Sequence, residues 1–157
     1  KGESKVINIR RYPPDEGDKL TAIWCRSVDA THDFLTKAYR KELEEMVRAF
    51  LPEAPLWVAV NTEDQPIAFM LLTGDHMDAL FVDPDVRGCG VGKLLIEHAL
   101  SLTPKLTTNV NEQNEQAGGC YQKMGFRVTG RSETDDLGQP YPLLNLMYEQ
   151  QAEADYD

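Results

Sequence analysis

Arg87-Gly88-Cys89-Gly90-Val91-Gly92-Lys93 is the stretch whose residue types could do chemistry. His76 to Pro84 before it reads as a strand. Behind it, Val91, Leu94, Leu95, Ala99 and Leu102 recur at helical spacing. The glycines therefore sit where a strand turns into a helix. A helix start offers unpaired N–H groups and the positive end of the helix dipole. Glycine lets that backbone come close to a ligand. The physical reading is an anion site, best suited to a phosphate, with Arg87 and Lys93 adding fixed positive charge. The spacing by itself also admits a glycine-rich connector without a ligand. No Gly-Lys-Ser/Thr ending follows, so this is not the phosphate loop of NTPases, and Gly88-Cys89-Gly90-Val91-Gly92 is too compact for a dinucleotide fingerprint.

Composition bounds what such a site could serve. The 157 residues are enough for one domain with its own core. Lys and Arg number 16 against 26 Asp and Glu, a net charge of −10. Nucleic-acid binders show the opposite excess, so no nucleic-acid partner is expected. An anion site must then be a local achievement against an acidic field. No apolar run reaches membrane length and no signal peptide is read, so no membrane partner is expected and cytoplasm is the expected compartment. Cys25, Cys89 and Cys120 show no metal spacing, and no metal is expected. Residues 5–149 read as a single domain. Residues 1–4 are set aside as a leader, and 150–157 as an acidic, disordered tail.

The elements that must position the loop follow from periodicity. Val6, Ile7 and Ile9 read as a short strand closed by Pro13-Pro14. Asp15 and Glu16 open a helix whose apolar stripe is Leu20, Ile23, Trp24 and Val28. Thr31 to Phe34 interrupts it. A second helix carries Leu35, Tyr39, Leu43, Met46, Val47 and Phe50 at helical spacing. Leu56–Val60, Ile67–Leu72 and the strand from His76 make an antiparallel meander. Its middle member is apolar throughout, as a central strand covered on both faces would be. Strict alternation in the third strand puts Asp78, Leu80 and Val82 on one face and Met77, Ala79 and Phe81 on the other. After the helix through Leu102, Leu106–Val110 reads as a strand in a parallel crossover. Asn114 fits an N-cap and Gly125 a C′ residue around a helix weakened by Gly118-Gly119. Either a close ligand or tight packing on the sheet would explain that pair. Two strands, from Phe126 and from Leu143, end the chain, with a polar loop at Asp135 to Pro140 between them. The expectation is a mixed α/β domain with about seven strands, mostly antiparallel, and four helices.

Leu80 to Leu95, with Arg87-Gly88-Cys89-Gly90-Val91-Gly92 following a strand that ends at Val82-Asp83-Pro84, resembles the acyl-CoA signature of the GNAT N-acetyltransferase superfamily, Arg/Gln-x-x-Gly-x-Gly/Ala after a strand ending in an x-x-Pro turn. Asn114-Glu115-Gln116-Ala117 through Tyr121-Gln122-Lys123-Met124-Gly125-Phe126 is similar to that family's later block. The resemblance implies a GNAT-like fold and an enzyme that moves an acetyl group from acetyl-CoA, as cosubstrate, to a primary amine in a ternary complex. It implies a splayed strand whose backbone near Leu80, Phe81 and Val82 holds the pantetheine arm. It places the diphosphate on Arg87, Gly88, Cys89, Gly90, Val91, Gly92 and Lys93, with Asn114 nearby. Tyr121 falls on the tyrosine that protonates the departing thiolate. His32 and Phe34, at the break between the first two helices, and His76 and Asp78, upstream on the splayed strand, are the acceptor-site candidates. The acceptor, a small molecule or a peptide, is left open, as are the general base and the choice of monomer or homodimer. The alternative is a regulatory protein that binds CoA without turnover.

Overall fold

The structure, a computed structural model, describes residues 8–12, 16–86 and 90–149. Val6, Ile7, the prolines and Asp15 before the first helix, Arg87 to Cys89 and the acidic tail lie outside the described residues. Among those described, one seven-stranded sheet carries four α-helices. The elements run β1 (Asn8–Arg11), α1 (Gly17–Thr31), α2 (Lys37–Phe50), β2 (Leu56–Val60), β3 (Pro66–Thr73), β4 (His76–Val82), α3 (Gly90–Leu102), β5 (Thr107–Asn111), α4 (Glu115–Met124), β6 (Phe126–Ser132) and β7 (Leu143–Tyr148). The sheet order is β1-β2-β3-β4-β5-β7-β6, antiparallel everywhere except between β4 and β5. This is the expected mixed α/β architecture.

Each face of the sheet buries its own apolar cluster. Leu20, Ile23, Trp24 and Val28 of α1 lie on Val58, Phe69 and Leu71. Val91, Leu95, Ile96 and Ala99 of α3 lie with Tyr121 of α4 on Ala68, Met70, Met77 and Val110. Strand β3 feeds both clusters alternately, which is why its sequence is apolar throughout. The α2 stripe is less covered than its spacing suggests: Tyr39 is buried, but Met46 and Phe50 are 46% and 52% exposed.

Two irregularities shape the site. Strands β4 and β5 pair only at His76↔Thr107 and Met77↔Thr108. Beyond those two rungs they diverge, so the sheet opens as a V toward the ends of both strands. Strand β4 also carries a bulge, because Leu71 faces Ala79 whereas Leu72 faces Met77, with Asp78 left over. This corrects the alternation expected from sequence. The extra residue shifts the phase by one, and Met77 joins Leu80 and Val82 on the α3 face while Ala79 and Phe81 pack toward α1. Asp78 leaves that face and accepts from the Thr73 hydroxyl.

Candidate acyl-transfer site

The V is the site's frame. Asp83 N–H donates to Ile67 C=O at 2.9 Å. In an antiparallel pair the bonding residues alternate, so Phe81 and Ala79 also turn their backbone groups to β3. The groups of Leu80 and Val82 then point the other way, toward the gap where β5 has moved off. Among the described residues they have no strand partner there. Gly92 of α3 packs behind them: a Cβ added to it would stand 3.7 Å from Leu80 and 4.0 Å from Val82, ordinary contact. The first turn of α3, Gly90 to Lys93, thus opens beside the end of β4 with its N–H groups uncommitted to the helix.

A cleft of about 410 Å³ runs through this gap. One wall is the end of α1 (Ser27, Ala30, Thr31, His32). The floor is β4 from Leu80 to Asp83. The other wall is α4, with Asn114, Ala117, Cys120 and Tyr121. Arg26 Nη2 donates to Asp83 Oδ2 at 2.6 Å and Asp85 N–H donates to Asp83 Oδ1 at 3.1 Å. Burial works against the Asp83 charge, but these bonds outweigh it and hold the carboxyl below its usual range. The pair ties α1 to the turn that leads into the glycine loop.

Tyr121 is 7% exposed. Its ring meets Phe126 edge-on at 5.4 Å, and its hydroxyl lies beside that of Thr108. Thr108 is on the last β4–β5 rung, where its hydroxyl donates to Met77 C=O at 2.8 Å. The phenol therefore stands at the apex of the V. Burial pushes its pKa above the ordinary value near 10, so it stays protonated. The Asn114 side chain accepts from Ala117 N–H at 3.3 Å, the expected N-cap, and Gly125 ends α4 at φ 112° as the expected left-handed residue.

Gly118 and Gly119 can now be read. A Cβ at either would meet nothing within 4 Å, so packing on the sheet does not require them. Alanine at each position is expected to stabilise the free protein by about 1 kcal/mol, measured by urea unfolding. If a ligand arm runs past this turn, the same variants weaken its binding.

The acceptor-site candidates separate. His32 lines the cleft. Phe34 does not; its ring lies 5.2 Å from that of His32 and 5.9 Å from that of Tyr141, outside the cleft wall. Tyr141 stacks on Tyr39 at 5.4 Å, and the Tyr39 hydroxyl donates to Asp135, which latches the β6–β7 loop to α2. His76 and Asp78 stand at the closed end of the V, away from the cleft lining. His76 Nδ1 is 2.7 Å from Thr107 Oγ1, its Nε2 is 3.0 Å from Asn109 Oδ1, and Asp78 is 3.8 Å away. Sequence reasoning did not find Thr31, Asn111 or Thr108. They are small polar residues whose partners lie far along the chain, and nothing in their local pattern marks them. A second hollow of about 310 Å³ lies between α3 and α4, edged by Lys93 and Lys123. Among the described residues no group of His, Cys, Asp and Glu is arranged to hold a metal ion, and no helix is long and apolar enough to cross a membrane.

Residues 22–140 match the family described as Acetyltransferase (GNAT) domain. The chain is 75% identical over 143 residues, 91% of its length and 97% of the relative's, to peptidyl-lysine N-acetyltransferase YjaB of Escherichia coli strain K12. It is 27% identical over 134 residues, 84% of its length and 91% of the relative's, to peptidyl-lysine N-acetyltransferase YiaC of the same organism. The solution structure of apo-form YjaB from Escherichia coli superimposes with a TM-score of 0.90 at 73% identity, covering 94% of this chain and 100% of that one. The PaiA N-acetyltransferase of Thermoplasma acidophilum, solved in complex with coenzyme A, shares the fold with a TM-score of 0.74 at 16% identity, over 91% of this chain and 98% of that one.

Proposed function

The chain belongs to the GNAT family of acetyltransferases, and from that premise we propose that it moves the acetyl group of acetyl-CoA directly to a lysine ε-amine of a peptide or protein. The observation that carries the reading is the open V, with two free β4 backbone positions along one side and the Tyr121 hydroxyl at its apex. The two faces of the sheet give two approaches to one cleft. The α3–α4 side receives the cosubstrate. Its diphosphate rests on the N–H groups at the start of α3, with Arg87, Gly88 and Cys89 just before them in sequence. The pantetheine arm takes the free groups of Leu80 and Val82, and a freed N–H polarises the thioester carbonyl. The α1–α2 side receives the acceptor, past the rings of Phe34, Tyr39 and Tyr141. An aromatic rim suits the four-carbon arm of lysine. The net charge of −10 favours the approach of a cation.

The amine attacks the carbonyl, the carbon–sulfur bond breaks, and Tyr121 donates its proton to the departing sulfur. The likeness to YjaB and YiaC, both named for peptidyl-lysine, supports the acceptor class. The test is thiol release from acetyl-CoA with four amine classes: lysine peptides with blocked N-termini, peptides with free α-amines, polyamines and aminoglycosides. Lysine peptides are expected to give the highest kcat/KM. Turnover on another class alone would overturn the acceptor assignment, and no release with any amine would overturn direct transfer.

A further inference from the structure

We propose that His32 is the general base of the transfer, taking the acceptor's proton on Nε2 while the Thr31 hydroxyl holds its Nδ1–H. This rests on the acetyl-transfer reading and names the group that reading leaves unassigned.

Counting the available protons fixes the tautomer. The Thr31 hydroxyl has one hydrogen, and it goes to Ser27 C=O at 2.8 Å. The same oxygen lies 2.7 Å from His32 Nδ1. It has nothing left to donate, so it accepts, and Nδ1 carries a proton. In a neutral ring Nε2 then holds the lone pair. Nε2 stands 3.1 Å from Asn111 Oδ1, an acceptor, which suits the ring once Nε2 has gained a proton. Turned by half a rotation, the same amide offers Nδ2–H to the neutral ring. Among the described residues the Asn111 side chain makes no other hydrogen bond, so the turn breaks nothing else. The site thus serves both protonation states of one histidine.

His76 provides the contrast. It too has a threonine and an asparagine, but Asn109 Nδ2 already donates to Asn145 Oδ1 at 2.6 Å. Its Oδ1 therefore faces His76 and accepts from Nε2–H, while Nδ1 lies 2.7 Å from the Thr107 hydroxyl, whose single hydrogen is within reach of both Nδ1 and Asp75 C=O at 3.4 Å. His76 is locked with both nitrogens occupied, outside the cleft. His32 lines the same cleft that Tyr121 lines. Burial favours its neutral form and lowers its pKa, and the bond to Asn111 and the charge of Asp33 oppose that. Its place at the C-terminus of α1 also eases the arriving charge.

The step balances. The lysine ammonium gives one proton to His32 Nε2, which passes it through water to solvent. The freed nitrogen bonds to the carbonyl carbon, the carbon–sulfur bond breaks, and the thiolate takes the Tyr121 proton. The proton that the nitrogen sheds as the amide forms returns through water to the phenolate.

His32→Gln tests it with two peptides, one carrying lysine and one carrying an aminooxy analogue that is neutral at pH 7. Lysine, with a pKa of about 10.4, needs the base. The variant is expected to lower lysine kcat/KM by about 10²–10⁴-fold, the aminooxy peptide by less than about tenfold, and to leave the KM for acetyl-CoA unchanged. Equal losses on both peptides would reduce His32 to a structural residue and overturn the proposal. A second readout needs no turnover: the ¹⁵N shifts of His32 in the free protein should report the Nδ1–H tautomer at pH 7, and an Nε2–H tautomer overturns it. Thr31→Val should release that tautomer and Thr31→Ser should keep it. Failure of acetyl transfer itself would show separately, as no wild-type turnover on either peptide, and would remove both readings.

Discussion

Tyr121→Phe is expected to lower kcat by about 10²–10⁴-fold with little change in the KM for acetyl-CoA. The substitution removes one oxygen from a residue that is 7% exposed, and it leaves the ring against Phe126. The Thr108 hydroxyl keeps its bond to Met77 C=O, so the last rung of the V survives. Stability should therefore change by no more than about 1 kcal/mol, and cosubstrate binding should persist. In the proposed mechanism, what is lost acts only as the carbon–sulfur bond breaks. A free thiol has a pKa near 8.5, and burial holds the phenol above 10. Transfer to an already formed thiolate would be uphill. In the proposed mechanism the phenol acts while charge develops on sulfur, from a buried position. Two results together would settle its role: acetyl-CoA titrated by fluorescence or calorimetry at unchanged affinity, and turnover restored with a thioester whose leaving thiol is more acidic. A loss confined to KM would instead make Tyr121 a binding residue.

The fold was readable in the chain because its main signals are local. The apolar β3, the α1 and α3 stripes, and the Asn114 and Gly125 caps each follow from a few neighbouring residues, and the structure has them where periodicity places them. The bulge at Asp78 was not readable. One extra residue in a strand leaves the alternation looking intact, and only pairing with β3 reveals the slip. The insertion of β7 between β5 and β6 is a non-local pairing with no mark in either strand. At the site, the strand-to-helix junction and Tyr121 stood out because glycine spacing and a motif carry them. Thr31, Asn111 and Thr108 did not. Asn111 lies 79 residues from His32, and its importance comes from proton bookkeeping that exists only once the two side chains meet. Phe34, His76 and Asp78 were legible as polar or aromatic residues near the right elements, but the V opens away from two of them and His32 screens the third.

Phe69→Ala is expected to destabilise the protein by about 3–5 kcal/mol, read from urea or thermal unfolding, and to weaken the cleft beyond its share of stability. Phe69 is 1% exposed at the centre of the α1 face. Its ring lies 5.6 Å from Phe81, its register partner on β4, and Phe81 in turn meets Trp24 of α1 edge-on at 6.4 Å. Removing the ring leaves a cavity that backbone pairing keeps from collapsing. Phe81 also lines the cleft, next to Leu80 and Val82, whose free backbone groups are the proposed seat of the pantetheine arm. Strand β4 lacks β5 as a partner along this stretch, so β3 and the Phe69–Phe81–Trp24 row are what keep it straight. A strand with support on one side only should feel the cavity more than a fully paired one. The KM for acetyl-CoA is therefore expected to rise in Phe69→Ala at temperatures where the protein is still folded, and to rise much less in Phe69→Leu, which refills most of the space. An unchanged KM in a folded Phe69→Ala protein would mean that β4 holds its shape without this row.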